Sequence, residues 1–284
     1  MPRLLLTFAV GAMLCAAAVP TASQQIGASR TVLGTVVDNR NRPIIEFSPD
    51  DFVVREMGQP REVLAVRVAD YPIAVVLDNG SGSATDFDAI RRAAARFIGR
   101  VGHRPIAVAV ADPPRLIATF DDDRAAVAAR VEALTAPSQS AGGLFQTIVN
   151  SARAIQETGT PFSAVVVMTG GTTSPIPDEF LTPILESGAA VHVVVNRRPV
   201  SASGGPPDRS TETLRALADQ TRGQFTTIYT SASYQVALEH LADRMATEIM
   251  IEYLVPSGSS TGNDVRLGIR IPGAKVNGLG VSSR

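Results

Sequence analysis

The chain has 284 residues, of which 45% are hydrophobic and 19% are charged, and its formal net charge is −1. This length accommodates one domain of ordinary size with an appended segment. The near-neutral charge, with no stripe of basic residues, excludes the strongly basic composition expected of a nucleic-acid-binding protein.

The N-terminus predicts a secretory signal peptide over residues 1–23. Arg3 precedes an apolar stretch from Leu4 to Val19, and a proline with small residues comes after it. The stretch is shorter than the ~20 apolar residues that cross a bilayer, although retention as a membrane anchor remains an alternative. Cys15, the only cysteine, would leave with the signal, so the mature chain would have no disulfide. We therefore expect a secreted or periplasmic protein with no membrane span after signal cleavage.

Residues 24–70 predict a β-rich lead-in segment. The β-branched run "TVLGTVVD" indicates one strand, which ends at the turn-forming cluster "DNRNRP". The stretch "DDFVVREMGQPREVLAVRVAD" indicates two further strands, broken at "MGQP". Because the segment is too short to fold stably alone, we expect it to pack on the next part of the chain.

Residues 71–247 predict an α/β domain. Four unbroken apolar runs, at 73–77, 106–111, 164–168 and 190–195, are typical of strands buried on both faces of a parallel sheet. Apolar residues at helical spacing lie between or after them, from Phe87 to Val101, from Leu214 to Thr221 and from Tyr234 to Met245. The alternation predicts a doubly wound, mostly parallel sheet of Rossmann-like type.

The C-terminal extension, residues 248–284, predicts more strands. The runs "EIMIEYLVP", "VRLGIRI" and "KVNGLGV" are similar in character to the N-terminal strands. We expect the two ends of the chain to form one small β-subdomain. Within the α/β domain, residues 196–211 are rich in proline, glycine and serine, and predict a loop long enough to be mobile or functional.

The strand and loop "YPIAVVLDNGSGS" carry the most informative motif, because ligands of open α/β sheets bind beyond the carboxyl ends of strands. Together with "ATFDDDRAAVAARVEAL", "AGGLFQTIVNSARAI", "AVVVMTGGTTS" and "LADQTRGQFTTI", in that order, they resemble the von Willebrand factor type A (VWA) family. The lead-in segment extends the resemblance to secreted bacterial proteins in which a short β segment precedes a VWA domain. The resemblance covers most of the mature chain and implies a VWA/Rossmann-like fold.

The resemblance also implies a cation site that has to be tested on this sequence. VWA domains often bind a divalent cation through Asp-x-Ser-x-Ser in a first loop, a threonine in a second and an aspartate in a third. If the motif begins at Asp78, both serine positions hold glycine. If it begins at Asn79, Ser81 and Ser83 match, but the carboxylate is replaced by an amide.

The other two loops also lack the ligand residues of the family pattern. Gly142 stands where the second loop would have threonine, and Thr169-Gly170-Gly171 stands where the third would have Thr-Asp-Gly. Neutral oxygens alone do not repay the dehydration of Mg²⁺, so we interpret the metal site as degenerate and expect no cofactor. The alternative is Mg²⁺ or Mn²⁺ at Asp78, Ser81 and Ser83, with the third loop rearranged to supply Thr172, Thr173 or Asp178.

Other chemistries find less support. Thr85 stands where a dinucleotide-binding fingerprint has its third glycine, and no serine has the flanking glycines of a nucleophile elbow. Lys275, the only lysine, is not placed for a P-loop or a Schiff base. His192 lies inside an apolar run and is interpreted as a core or sheet-edge residue. The acidic run 121–124 is interpreted as the start of a helix.

The sequence therefore predicts a non-catalytic, adhesion-type module that binds an unidentified protein or peptide, not an enzyme. The residues expected at the binding surface are Asp78, Asn79, Ser81, Ser83, Gly142, Thr169, Gly170 and Thr172. Three alternatives stay open: a cation-dependent VWA binding protein, a structural part of an envelope assembly, and a hydrolase or transferase that uses the same cleft.

Overall fold

A computed structural model describes residues 27–80, 82–137, 142–171, 178–197 and 209–282. The strands, in chain order, are β1 (Ala28–Val37), β2 (Phe52–Glu56), β3 (Gln59–Arg61), β4 (Val63–Val68), β5 (Ile73–Leu77), β6 (Ile106–Ala111), β7 (Pro114–Ala118), β8 (Ala164–Thr169), β9 (Ala190–Asn196), β10 (Phe225–Ile228), β11 (Glu248–Val255), β12 (Val265–Ile269) and β13 (Lys275–Val281). The helices are α1 (Phe87–Arg100), α2 (Arg124–Glu132), α3 (Leu144–Glu157), α4 (Asp178–Glu186), α5 (Arg209–Gln220) and α6 (Ser233–Ala246). The predicted signal peptide and most of the predicted loop at 196–211 lie outside the described residues.

The centre of the molecule is a six-stranded sheet in the order β10-β9-β8-β5-β6-β7. All neighbouring strands are parallel except β7, which runs antiparallel to β6 at one edge. The four apolar runs of the sequence form β5, β6, β8 and β9. The predicted doubly wound, mostly parallel α/β sheet is confirmed.

Two separate cores explain why these strands are apolar without alternation. Ile73, Val75 and Leu77 pack in one core with residues of α1, α2 and α6. Ala74 and Val76 point to the other face of the sheet and pack with residues of α3, α4 and α5. Because side chains alternate between the faces of a strand, a strand covered by helices on both sides must be apolar at every position.

The two ends of the chain form the expected β-subdomain. One sheet has the order β13-β1-β11-β4 and a second has the order β12-β2-β3, so each contains strands from both ends. A third core, which includes Val32, Phe52, Ile251 and Tyr253, fills this part of the molecule. Domain boundaries at residues 70/71 and 247/248 stay predictions.

Three features differ from the sequence prediction. Residues 51–70 form three strands instead of two, because β3 pairs with β2 whereas β4 crosses to the other sheet and pairs with β11. The turn predicted at "MGQP" is present, and Met57 and Gly58 have φ of 50° and 78° there. The antiparallel strand β7 was not predicted from the sequence. The first three of its five residues are exposed, and it lacks a continuous apolar run. Helix α4, which contains Pro183, was not anticipated either.

Two interpretations of polar residues are settled by the structure. Asp123 caps α2, since its carboxylate accepts a hydrogen bond of 3.1 Å from the backbone N–H of Ala126, as the acidic run predicted. His192 lies in β9 between β8 and β10 and is 3% exposed, so it is a core residue and not a sheet-edge one. In the described ranges, no helix has both the length and the apolar character needed to cross a bilayer.

Candidate functional site

The described residues of the predicted binding surface lie at one end of the six-stranded sheet, which we call the crest. The carboxyl ends of the parallel strands lie at the crest, where open α/β sheets bind their ligands. Its described residues are 78–80, 82–86, 112–113, 142–143, 169–171, 196–197 and 229–232.

Asp78 is the centre of a hydrogen-bond network at the crest. It directly follows β5 and is 5% exposed. One carboxylate oxygen, Oδ1, accepts from the backbone N–H of Gly80 at 2.9 Å. The other, Oδ2, accepts from the hydroxyls of Ser83 and Thr169 at 2.7 and 2.6 Å. Three donors from two loops therefore satisfy a buried carboxylate, which would be costly to bury without them.

The two hydroxyls that donate to Asp78 also accept hydrogen bonds from the third loop. Ser83 Oγ accepts from the backbone N–H of Gly170 at 2.6 Å, and Thr169 Oγ1 accepts from that of Gly171 at 3.0 Å. The hydroxyl of Tyr234 in α6 donates to the carbonyl oxygen of Thr169 at 2.5 Å. The first and third loops are thus joined directly, through side chains and backbone.

Glycine is required where these loops meet. A Cβ atom added to Gly170 would lie 2.6 Å from the carbonyl oxygen of Gly82 and 2.9 Å from Cα of Ser83. A Cβ atom added to Gly82 would lie 2.2 Å from the carbonyl oxygen of Gly171. These are backbone atoms, which cannot relieve the clash by a change of rotamer as a side chain can. This contact accounts for Gly170 at the position where the VWA pattern has aspartate.

Asn79 points away from Asp78 and joins the first loop to the end of β6. Its amide group donates to the carbonyl oxygen of Asp112 at 2.6 Å and accepts from the backbone N–H of Asp112 at 2.7 Å. Gly142 precedes α3 with a φ of 77°, a conformation that favours glycine. A Cβ atom on the adjacent Gly143 would lie 2.4 Å from the carbonyl oxygen of Ala111, so this turn packs against the end of β6.

Asp86 is a further buried carboxylate at the crest that sequence reasoning missed. It is 4% exposed and accepts from the Asn196 amide at 2.9 Å and from the Ser231 hydroxyl at 2.5 Å. The sequence carries only a weak signal for this residue. Asp86 directly precedes the helical pattern, where an aspartate is ordinarily explained as a helix cap. The oxygen Oδ1 of Asn196 is buried and has no hydrogen-bond partner among the described residues.

The described residues do not fit a divalent cation at the position that the VWA pattern implies. Mg²⁺ requires oxygen ligands in near-octahedral geometry, and proteins bind it through carboxylates. Here Asp78 is the one carboxylate at that position, and its neighbouring hydroxyls direct their protons towards it. No group of three or more His, Cys, Asp or Glu side chains in the described part of the chain could hold a metal ion.

The structure thus brings together four of the predicted site residues, Asp78, Ser83, Thr169 and Gly170. Asn79 and Gly142 also lie at the crest, where Asn79 is bonded to Asp112 after β6 and Gly142 precedes α3. Ser81, Thr172 and Thr173 lie outside the described residues, and nothing is described of the Asp178 side chain.

Comparison with known proteins identifies the fold. No family model matches the sequence, and no curated protein matches it. Among solved structures, the von Willebrand factor type A protein of Catenulispora acidiphila is similar over 92% of this chain and 74% of its own, with 13% identity and a TM-score of 0.51.

Two further solved structures are matched at lower TM-scores. The protein BatB of Bacteroides thetaiotaomicron matches 62% of this chain and 98% of its own, with 19% identity and a TM-score of 0.46. The pilus adhesin SpaC of Lactobacillus rhamnosus GG matches 84% of this chain, which spans 48% of SpaC, with 9% identity and a TM-score of 0.46. At such identities the likeness concerns the fold, and the chain has a VWA-type fold with added antiparallel sheets from its two ends.

Proposed function

We propose that this protein is a non-catalytic binding module, secreted or periplasmic, that contacts a protein or peptide partner directly through the loops of its crest. Loops on a rigid scaffold are the usual place for recognition. The contact needs no bridging cation, because the carboxylate at the expected cation position is already satisfied by internal donors.

The observation that carries the proposal is the junction of Asp78, Ser83, Thr169 and Gly170. Two hydrogen bonds of 2.6 Å join the first and third loops there, and two more, of 2.7 and 2.9 Å, order the first loop around Asp78. A binding surface that is already ordered loses little conformational entropy when the partner docks. The same junction supports a binding function over catalysis, since its carboxylate is buried and occupied instead of facing a substrate.

An enzymatic function would need a convergent acid and base in the cleft. In the described part of the crest, Asp78 and Asp86 are each hydrogen-bonded to hydroxyl, amide or backbone groups, and no histidine lines it. His192, the one fully buried histidine among the described residues, lies within β9 and contacts Gln224 instead of the crest.

Tyr229 offers an anchor for the partner. It directly follows β10 at the crest and is 68% exposed, which is unusual for a large aromatic side chain. Tyrosine is among the residues that contribute most to protein interfaces when a partner buries it. We expect Tyr229→Ala to weaken partner binding about tenfold or more while leaving the fold intact.

The experiment is capture of a partner from an envelope extract by the immobilised mature protein, followed by a binding titration with the purified partner. Ile45→Ala is the matched control, because Ile45 is 64% exposed in the lead-in segment, away from the crest. Binding should fall in Tyr229→Ala, persist in Ile45→Ala and be unchanged by EDTA. Loss of binding in EDTA would support the cation-dependent alternative, and equal losses in the two variants would contradict a crest interface.

One observation favours a second candidate, a structural role in an envelope assembly. Strand β4 is an edge of the four-stranded sheet, and Leu64 and Val68 on it are 43% and 56% exposed. An exposed strand edge can pair with a strand of another protein. Crosslinks that map to residues 30–70 and 255–282, and not to the crest, would support this role in place of the first.

A further inference from the structure

A cavity lies at the opposite end of the six-stranded sheet from the crest, where the sheet meets β1, β11 and β13. We call it the base cavity and define it by Phe162, Ser163, His192, Arg222, Arg244 and Glu248, with Leu33 and Leu279 among its apolar walls. Its volume is about 70 Å³. Since one water needs roughly 10–15 Å³ on this measure, the base cavity has room for several waters or a small organic ion.

Glu248, the acidic side chain of the base cavity, is already compensated. It is 3% exposed and accepts from the Tyr71 hydroxyl at 2.5 Å and from Arg104 Nη2 at 3.3 Å. The Arg104 guanidinium also lies 4.0 Å from the centre of the Tyr71 ring. Its Nη1 is buried without a hydrogen-bond partner among the described residues, so this region has more donors than acceptors.

His192 presents a hydrogen-bond donor in the base cavity. Its Nδ1 accepts from the backbone N–H of Gln224 at 3.0 Å and lies 3.3 Å from Arg244 Nη2. Burial, with Arg244 and Arg104 nearby, lowers the pKa of His192 to about 3, so the ring is neutral at neutral pH. A neutral ring whose Nδ1 accepts must carry its proton on Nε2. The two polar contacts described for His192 are both at Nδ1, and its side chain lines the base cavity.

Two arginines at the rim of the base cavity lie near one acid among the described residues, Glu248, whose carboxylate already pairs with Arg104. Arg222 and Arg244 are both exposed, and neither forms an ion pair within the described ranges. The backbone of Arg222 has a φ of 61° after the end of α5. Its Nη1 lies against β13, where a Cβ atom on Gly280 would be 3.0 Å away. Arg104, Arg222 and Arg244 thus face a single acid, Glu248.

We propose that the base cavity binds a small organic carboxylate. The carboxylate group accepts from Arg244, Arg222 and the Nε2–H of His192, and the buried Ser163 hydroxyl supplies a further donor. The short hydrocarbon part packs on Leu33, Phe162 and Leu279. These apolar walls favour an organic acid over a fully hydrated inorganic anion, which would leave them without a partner. The site lies at the other end of the sheet from the crest and does not depend on the function proposed there.

The test uses the mature protein with butyrate as the probe and inorganic phosphate as the competing anion. Calorimetry measures affinity, and the ring nitrogen signals of the three histidines, recorded by NMR, report the site. We expect butyrate to bind with millimolar or tighter affinity and to shift the Nε2 signal of His192, leaving His103 and His240 unchanged. Before ligand is added, the spectrum should show the Nε2–H tautomer.

Arg244→Gln and Arg222→Asn, which keep exposed polar side chains, should each weaken butyrate binding at least about tenfold, as expected for loss of a charged hydrogen bond. Asparagine is chosen at Arg222 because it tolerates positive φ. Arg153→Gln, which removes an exposed arginine from α3, is the matched control and should bind as wild type does. Ser163→Ala should weaken binding less. Unchanged binding in both rim variants, no shift at His192, or tighter binding of phosphate than of butyrate would each overturn the proposal.

Discussion

Gly170→Ala tests the direct contact between the first and third loops of the crest. The added methyl group would lie 2.6 Å from the carbonyl oxygen of Gly82 and 2.9 Å from Cα of Ser83, so one loop has to move. Overpacking against backbone costs about 1–3 kcal/mol. Displacement also lengthens the 2.6 Å hydrogen bond from Gly170 to Ser83, for a further loss of about 1 kcal/mol. We expect the free energy of unfolding to fall by about 2–4 kcal/mol.

The assay is urea denaturation of wild type and variant, monitored by fluorescence or circular dichroism. Gly99→Ala is the control, because Gly99 lies in α1 without a positive φ, and apart from its chain neighbours and the backbone of its own helix no atom lies within 4 Å of the position that an added methyl group would take. Alanine is a better helix former, so this control should be neutral or more stable by up to about 1 kcal/mol. If Gly170→Ala is as stable as wild type, the two loops are not in backbone contact and the crest is not pre-ordered.

Two further changes test the crest carboxylate and the buried histidine. Both carboxylate oxygens of Asp78 accept hydrogen bonds, and Asp78→Asn replaces one of them with an amide N–H, which cannot accept. We expect the free energy of unfolding to fall by about 1–3 kcal/mol. Saturating Mg²⁺ should change the urea midpoint of neither wild type nor Asp78→Asn; stabilisation of wild type alone would reveal a cation site. For His192, the folded-state pKa of about 3 lies below the ordinary 6.5, so the unfolded chain binds a proton that the folded chain does not. Stability should therefore be lost as the pH falls from 6.5 towards 3, by at most about 1.4 kcal/mol per pH unit from this residue. His192→Asn, which keeps an acceptor for Gln224, should reduce that slope, and a slope equal to that of wild type would show that other groups cause it.

The parts of the fold that local sequence determines were predictable. Runs such as 73–77 and 164–168 are apolar at every position because helices cover both faces of their sheet, and this pattern identifies them without any structure. The switch of β4 to a different sheet from β3 was not predictable, since it depends on pairing with β11 near the other end of the chain.

The candidate site was likewise predictable only in part. The chain order of strand and loop placed Asp78, Thr169 and Gly170 at one end of the sheet, and the missing carboxylates were evident from the residues themselves. Asp86 could not be assigned from sequence, because its partner Asn196 lies 110 residues away and an aspartate before a helix has an ordinary explanation. The base cavity is assembled from several separate parts of the chain, none of which carries a motif.

The position of β1 has a consequence for how the protein is made. β1 is bordered by β11 and β13, and Arg30 donates to the carbonyl oxygen of Ser282, 252 residues further along. At a synthesis rate of ~5–20 residues per second, a nascent β1 waits on the order of tens of seconds for both neighbours. During that interval a β-branched segment has two open edges, which is the condition that favours intermolecular pairing. Truncation before β11 would make that exposure permanent, so shortened forms of this protein should aggregate even though their central sheet is complete.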